Sequence, residues 1–288
     1  MGLFYLLHNF FKICSIAYFA DSWFNVFSFT FGAKMTEKLF VFDLDDTLID
    51  NVHDYAQPIL DATSLIVEEL RSKAPHVTRI INLEQEIDSR RVKEINPQTG
   101  KPFLFSMDRF PGSLVEVYRY ICKQAKINPK AQTEERLFAI GLKAFDEQRY
   151  GSNIILGAKT IVDFLRNQGD VVVLLTKGDK SVQRKKIMAL GSAHINFDNI
   201  CVVETKNFKH FQQMTNFCFP PCQKWFSVGN SYESDIAPAL EVGYKGILIP
   251  VETWEVIGKM EEILAKVDRE KCFVFGDLFE ITEKYEML

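Results

Sequence analysis

Asp43, Asp45, Asp46 and Thr47 stand directly after the apolar run Leu39-Phe40-Val41-Phe42. Carboxylates at the end of a buried run are costly unless they are paired, hydrogen-bonded or placed on a metal. Residues two apart on a strand face the same side, so Asp43 and Asp45 are expected to aim at one spot. A like-charged pair in one place invites a divalent cation or a shared proton. The plainer alternative is a strand ending in a polar turn, with Asp46-Thr47 opening the next element. The full pattern D-x-D-x-T after four apolar residues favours the chemical reading.

Polar residues also stand at the ends of later apolar runs. Thr176 closes Val171-Val172-Val173-Leu174-Leu175-Thr176, followed by Lys177 and Gly178. Lys206 follows Ile200-Cys201-Val202-Val203, and Asn230 and Asp235 follow Trp225-Phe226-Ser227-Val228-Gly229. Each has an ordinary alternative. Thr176 alone reads as a helix N-cap, Lys206 as a surface lysine, and Asp235 as a first-turn acid favoured by the helix dipole, a role compatible with metal binding. Lys185 and Lys186 are rivals for the place of Lys206. Both fall inside a helix flanking the sheet, from which a side chain is not expected to reach the strand ends. His53 is read as a pocket-lining residue or, more simply, as a solvated loop histidine.

These residues need a scaffold that brings strand ends together. The first strand is expected at Leu39 to Leu44, and further strands at 171–176, 200–203, 225–229, 246–249 and 272–275, separated by helices ending at Gly169, Gly191 and Gly243. Asp235 to Glu241 reads as helical. Alternation of helices with strands apolar throughout implies an α/β fold, a doubly wound parallel sheet covered on both faces. Such sheets bind ligands at the carboxyl ends of their strands. Residues 51–155 interrupt the alternation as a helical insertion, so the core is expected at 35–50 and 156–288. Helical spacing marks segments near 56–74, 112–126 and 133–148, with Ser113-Leu114-Val115-Glu116 read as a capping box. The turn-rich stretch 96–102 reads as a loop.

The chain of 288 residues is 47% hydrophobic and 25% charged, as in an ordinary globular protein. A net charge of -4 argues against broad nucleic-acid binding, which wants a basic face. The 6 cysteines read as reduced thiols of a cytoplasmic protein, since the only close pair, Cys218 and Cys222, lacks the second half of a zinc site. Residues 1–34 are apolar, but Lys12 and Asp21 break the run below the ~18 residues a spanning helix wants. Three readings stay open for that segment: a peripheral apolar anchor, a hairpin on the body, or a segment outside the working protein with Met35 as the start. The third is favoured. Apart from such an anchor no membrane contact is expected, and the oligomeric state is left open.

The order and spacing of these motifs resembles the haloacid dehalogenase-like hydrolase superfamily. Its motifs are D-x-D-x-[TV], an apolar strand ending in Thr or Ser, a Lys, and an acidic loop, and its helical-cap branch inserts the cap between the first two. Thr176-Lys177-Gly178-Asp179 and Gly229-Asn230-Ser231-x-x-Ser234-Asp235 look similar to one subfamily of uncharacterised hydrolases. The resemblance implies a magnesium ion held by Asp43, Asp235 and the backbone carbonyl of Asp45. It implies Asp43 as a nucleophile forming an aspartyl-phosphate, Asp45 as acid then base, and Thr176 and Lys206 on the phosphoryl oxygens. Thr47, Lys177, Gly178 and Asn230 are expected to line the substrate, with amides near Lys177-Gly178 donating to it. Asn230 departs from the commoner Asp and shifts the metal burden to Asp235. Asp45 points to phosphoryl chemistry, because dehalogenase members lack an acid there. The expected function is a phosphohydrolase on a small phosphorylated metabolite. The alternatives are a phosphomutase or a non-enzymatic phospho-acceptor or binding module. Arg90, Arg91, Lys93 and Arg109 are candidates for gripping an acidic substrate.

Overall fold

The computed structural model describes residues 38–288 except 219, 220, 254, 255 and 257. The readings for residues 1–34 and for a start at Met35 lie outside the described residues. Six parallel strands form one sheet: β1 (Lys38–Phe42), β2 (Val171–Lys177), β3 (Asn199–Val203), β4 (Lys224–Gly229), β5 (Lys245–Leu248) and β6 (Cys272–Val274). Their order is β3-β2-β1-β4-β5-β6. The chain runs outward from β1 through β2 to β3, then returns to pair β4 with the other side of β1. The β1/β4 boundary is therefore the topological switch point, where doubly wound sheets open a crevice at their carboxyl ends.

The apolar β-branched and aromatic sequences of β1 and β2 suit strands buried on both faces. Phe40, Phe42, Val172 and Leu174 pack on one face with Ile161 and Leu165. Leu39, Val41, Val173 and Leu175 pack on the other with Phe211, Met214 and Tyr244. β3 departs from the expectation of strands apolar and covered throughout: it is the sheet edge, and Ile200 is 40% exposed. β1 stops at Phe42, two residues before the expected end.

Helices α1 (Ala56–Leu70), α2 (Val77–Arg91), α3 (Arg109–Gln124) and α4 (Ala131–Leu142) make up most of the insertion and share their own apolar cluster, including Ile66, Ile87, Leu114 and Leu137. The expected helix at 133–148 ends at Leu142 and continues only as short 3₁₀ turns. The capping box at Ser113 is not formed. α3 starts one turn earlier, at Arg109, because Pro111 is tolerated in a first turn whose N–H groups have no intrahelical partner. Ser113 is buried inside that helix and donates its hydroxyl to Asp88 Oδ1 at 2.9 Å and Arg109 O at 3.0 Å. The 96–102 stretch is a turn closed by a bridge between Ile95 and Pro102.

The core helices are α5 (Ala158–Gln168), α6 (Lys180–Ser192), α7 (Phe208–Met214), α8 (Ala237–Leu240), α9 (Met260–Lys266) and α10 (Phe279–Glu283). The expected helix from Asp235 is instead a π-helical turn over Tyr232–Ile236 followed by α8. The expectation of reduced cysteines throughout is corrected at one pair. The Cα atoms of Cys218 and Cys222 are 5.6 Å apart, within disulfide range, and the two are bonded. Among the described residues Cys122, Cys201 and Cys272 are in no disulfide. Among the same residues no helix is long and apolar enough to cross a membrane.

Candidate active site

Asp43 is the first residue beyond β1, tied to the sheet by its N–H donating to Val228 O at 2.9 Å. Its Oδ1 lies 2.5 Å from Lys206 Nζ, and the same ammonium lies 2.7 Å from Asp235 Oδ1. The Lys206 side chain is 1% exposed. Burial pulls this lysine down, but Asp235 and Asp43 outweigh burial and its net direction is upward. Asp43 goes the other way for a carboxylate: burial and then the charge of Asp235 raise it to about 7, against the opposing pull of Lys206. One lysine does not balance two buried carboxylates. Asp235 is held from behind, with Ser231 N donating to its Oδ2 at 3.0 Å and Ser227 Oγ donating to its carbonyl at 2.7 Å.

Asp45 does not share these partners. Because β1 ends at Phe42, strand alternation does not extend to Asp45, and its side chain is held by α6. Gln183 Nε2 donates to Asp45 Oδ2 at 2.6 Å, and Lys186 Nζ lies 2.5 Å from Oδ1 and 2.6 Å from Asn51 Oδ1. The expectation that Lys186 cannot reach the strand ends is therefore wrong. It lies in the second turn of a helix that begins just beyond β2, and its four-carbon stem spans the remaining gap. Gln183 carries no sequence signal beyond its place on the same helix face.

Gly178 makes this clamp sterically feasible. Its φ is +142, and a Cβ there would lie 2.7 Å from Gln183 Nε2. Its N–H donates to Val203 O at 3.1 Å, so the amide expected to serve an anion is already engaged. Lys177 turns its ammonium to Ser234 Oγ at 2.7 Å and lies over the Phe105 ring.

Asp46 holds the loop after β1. It sits at φ 58, a left-handed conformation that Asp tolerates. Its Oδ1 accepts from the N–H groups of Asn51 and Val52, both at 2.8 Å. Burial raises its carboxyl to about 6 against those two bonds. Thr47 and Thr176 are buried, and among the described residues their hydroxyl oxygens have no hydrogen-bond partner.

Asp43, Asp45, Lys177, Gly178 and Asn230 all line one cleft of about 120 Å³, while the side chains of Lys206 and Asp235 are buried and are not among its lining residues. The insertion supplies Tyr55, Phe105, Arg109 and Phe145 to the same cleft. Of the four basic residues considered for an acidic substrate, Arg109 alone lines it, with Nη2 3.2 Å from Asp88 Oδ2. Arg90 and Arg91 are instead paired with Glu116. His53 is exposed and bonded to Asp50.

The donors fit a magnesium ion. Among the described residues no group of three or more His, Cys, Asp or Glu side chains surrounds one point. Magnesium does not need one: it keeps several waters and is held by one or two carboxylates together with substrate phosphate. Asp43 and Asp235 are all-oxygen donors of that kind, joined through Lys206, and one lysine leaves the two short of positive charge.

No family model and no curated protein matches the sequence. Solved structures do. A haloacid dehalogenase-like family hydrolase from Xanthomonas campestris is similar at 20% identity, covering 88% of this chain and 91% of that one, with a TM-score of 0.61. A predicted phosphoglycolate phosphatase from Haemophilus somnus is similar at 18% identity over 86% and 98% of the two chains, TM-score 0.53. The HAD-hydrolase YfnB from Bacillus subtilis, bound to magnesium, is similar at 17% identity over 88% and 100%, TM-score 0.52. The chain has the fold of the haloacid dehalogenase-like hydrolases. A 2-haloacid dehalogenase from Pseudomonas syringae shares it, so the fold alone does not select the reaction.

Proposed function

We propose that the chain is a magnesium-dependent phosphohydrolase acting on a small phosphorylated metabolite through an aspartyl-phosphate at Asp43. The observation that carries this reading is the presence of a second carboxylic acid, Asp45, on the cleft that Asp43 lines, clamped by Gln183 and Lys186. A halide leaves without a proton, whereas an alkoxide needs one, and a positioned acid contributes roughly 10²–10⁴-fold.

Phosphate monoesters resist anionic attack, and their hydrolysis demands up to roughly 20 kcal/mol or more of barrier lowering. Magnesium, held by Asp43, Asp235 and the Asp45 carbonyl, would cancel repulsion between Asp43 and the phosphoryl group. Lys206 fixes Asp43 through Oδ1. A carboxylate oxygen of Asp43 attacks phosphorus, the P–O bond to the leaving group breaks, and Asp45 delivers its proton to the departing oxygen. Asp45, now ionised, takes a proton from the water that attacks the acyl-phosphate, freeing Asp43 and inorganic phosphate. Thr47 and Thr176, whose hydroxyls have no partner among the described residues, would donate to phosphoryl oxygens, and Asn230 and Lys177, which line the cleft, would orient the ester. In this reading the helical insertion is the cap that selects the leaving group.

The test is phosphate release from p-nitrophenyl phosphate and a phosphometabolite panel. Activity should require magnesium, stop with EDTA and vanish in Asp43→Asn. Turnover that persists in Asp43→Asn would remove the proposed nucleophile, and release of halide without phosphatase activity would replace the reaction.

A further inference from the structure

A second cleft, of about 220 Å³, opens beside the first, with Tyr55 and Arg109 contributing to both. Its other walls include Ile59, Glu84, Asp88 and Glu252. Its acids face fewer cations than those of the first. The Asp43 cleft sets Lys177, Lys186 and Arg109 against Asp43, Asp45, Asp46 and Asp179, and Lys206 stands behind Asp43. The second has three acidic side chains against Arg109, which already pairs with Asp88 at 3.2 Å, and the exposed His53, which pairs with Asp50.

Glu84 is the residue that points to a ligand. It is 5% exposed, it lines the cleft, and among the described residues it has no hydrogen-bond or ion-pair partner. Carboxylates are almost never buried unless paired. Glu84 and Asp88 are four apart on α2 and therefore share a face. Burial and then the charge of Asp88 raise Glu84 to about 8, with Arg109 opposing. The Tyr55 ring, which lines the same cleft, adds a surface that attracts cations.

We infer that this second cleft is the subsite for a protonated amine on the leaving group of the substrate, with Glu84 as its counter-ion. The inference rests on the phosphatase reading and narrows it to phosphate esters of amino alcohols. The phosphate end is drawn to the lysine-backed cleft and the ammonium end to Glu84, Asp88 and the Tyr55 ring. An uncharged alkyl chain would leave the Glu84 carboxyl without a partner, and a carboxylate there would meet like charge.

The test compares ω-aminoalkyl phosphates of increasing chain length with alkyl phosphates of matched length. Binding is measured by calorimetry with magnesium present, on Asp43→Asn so that no turnover occurs. At the best chain length the amine should bind at least about tenfold tighter than its alkyl partner. In the double variant carrying Glu84→Gln that ratio should fall towards one. Equal binding of amine and alkyl esters at every length overturns the inference, and this comparison needs no change at Glu84. A preference that survives Glu84→Gln also overturns it. Turnover by the unmodified protein is read separately. If no ester, p-nitrophenyl phosphate included, releases phosphate, the phosphatase reading fails while the binding ratio still decides the cleft.

Discussion

Lys186 Nζ lies 2.5 Å from Asp45 Oδ1 and 2.6 Å from Asn51 Oδ1, so a single side chain, 4% exposed, ties α6 to the loop after β1. Removing one partner of a buried pair leaves the other uncompensated. Asp45 is 23% exposed, so water recovers part of that loss. Lys186→Met should cost roughly 1–3 kcal/mol in urea unfolding. It should also slow alkyl phosphates more than p-nitrophenyl phosphate, whose leaving group needs little proton assistance. Arginine should not rescue the defect, because its planar fork does not replace a point charge between two acceptors. Equal slowing of both esters would mean that Lys186 does not position Asp45.

Gly229 closes β4 against Asp235. A Cβ at position 229 would stand 2.3 Å from Asp235 Oδ2 and 2.5 Å from its Cγ. Asp235 cannot yield without leaving Lys206 or the Ser231 amide. Gly229→Ala should cost about 1–3 kcal/mol through overpacking. Its kcat/KM should fall about 100-fold or more, since a misplacement of about 1 Å is enough for that. Weaker magnesium binding in calorimetry should accompany the loss. Unchanged magnesium affinity would show that Asp235 tolerates the shift.

The sequence makes the Asp43, Lys206 and Asp235 triangle readable because each residue stands just past an apolar parallel strand, and the fold gathers those ends at the switch point. Lys186 was hidden for a physical reason: helix position fixes where a backbone lies, not how far a long flexible stem reaches. Gln183 and Gly178 act only as a pair, one filling the space that the other leaves, and no one-residue signal announces such a fit. Helix α2 escaped because its buried stripe, Ile80, Leu83, Glu84, Ile87 and Asp88, includes two carboxylates that break its apolar period. The same substitutions of acid for hydrocarbon that blur the helix build the second cleft.

Asp46 combines a positive φ with two backbone hydrogen bonds to its side chain. Asparagine keeps an oxygen in place and tolerates the left-handed conformation, whereas alanine offers neither. Asp46→Asn should stay within about 0.5 kcal/mol of the parent and Asp46→Ala should lose roughly 1–3 kcal/mol. Thermal unfolding of the two variants side by side is the check. Equal losses would mean that the carboxylate charge, not the loop geometry, is what position 46 requires.

Glu84 gives a prediction for pH that does not depend on catalysis. Its carboxyl is raised from an ordinary 4.5 to about 8 by burial and then by Asp88. Between those values the folded chain holds a proton that the unfolded chain has released, so stability falls as pH rises across that window. The contribution is fully present below about 4.5 and lost as pH passes about 8. Glutamine has nothing to ionise and preserves the shape. Glu84→Gln should therefore match the parent near pH 4.5 and become more stable by roughly 2–4 kcal/mol near pH 9. Unfolding midpoints of the two proteins across that range should diverge upward. An aminoalkyl phosphate that places its ammonium beside Glu84 should close the gap by stabilising the ionised parent, which a matched alkyl phosphate cannot do. Parallel curves for parent and variant would mean that water reaches Glu84 and that its burial carries no electrostatic cost.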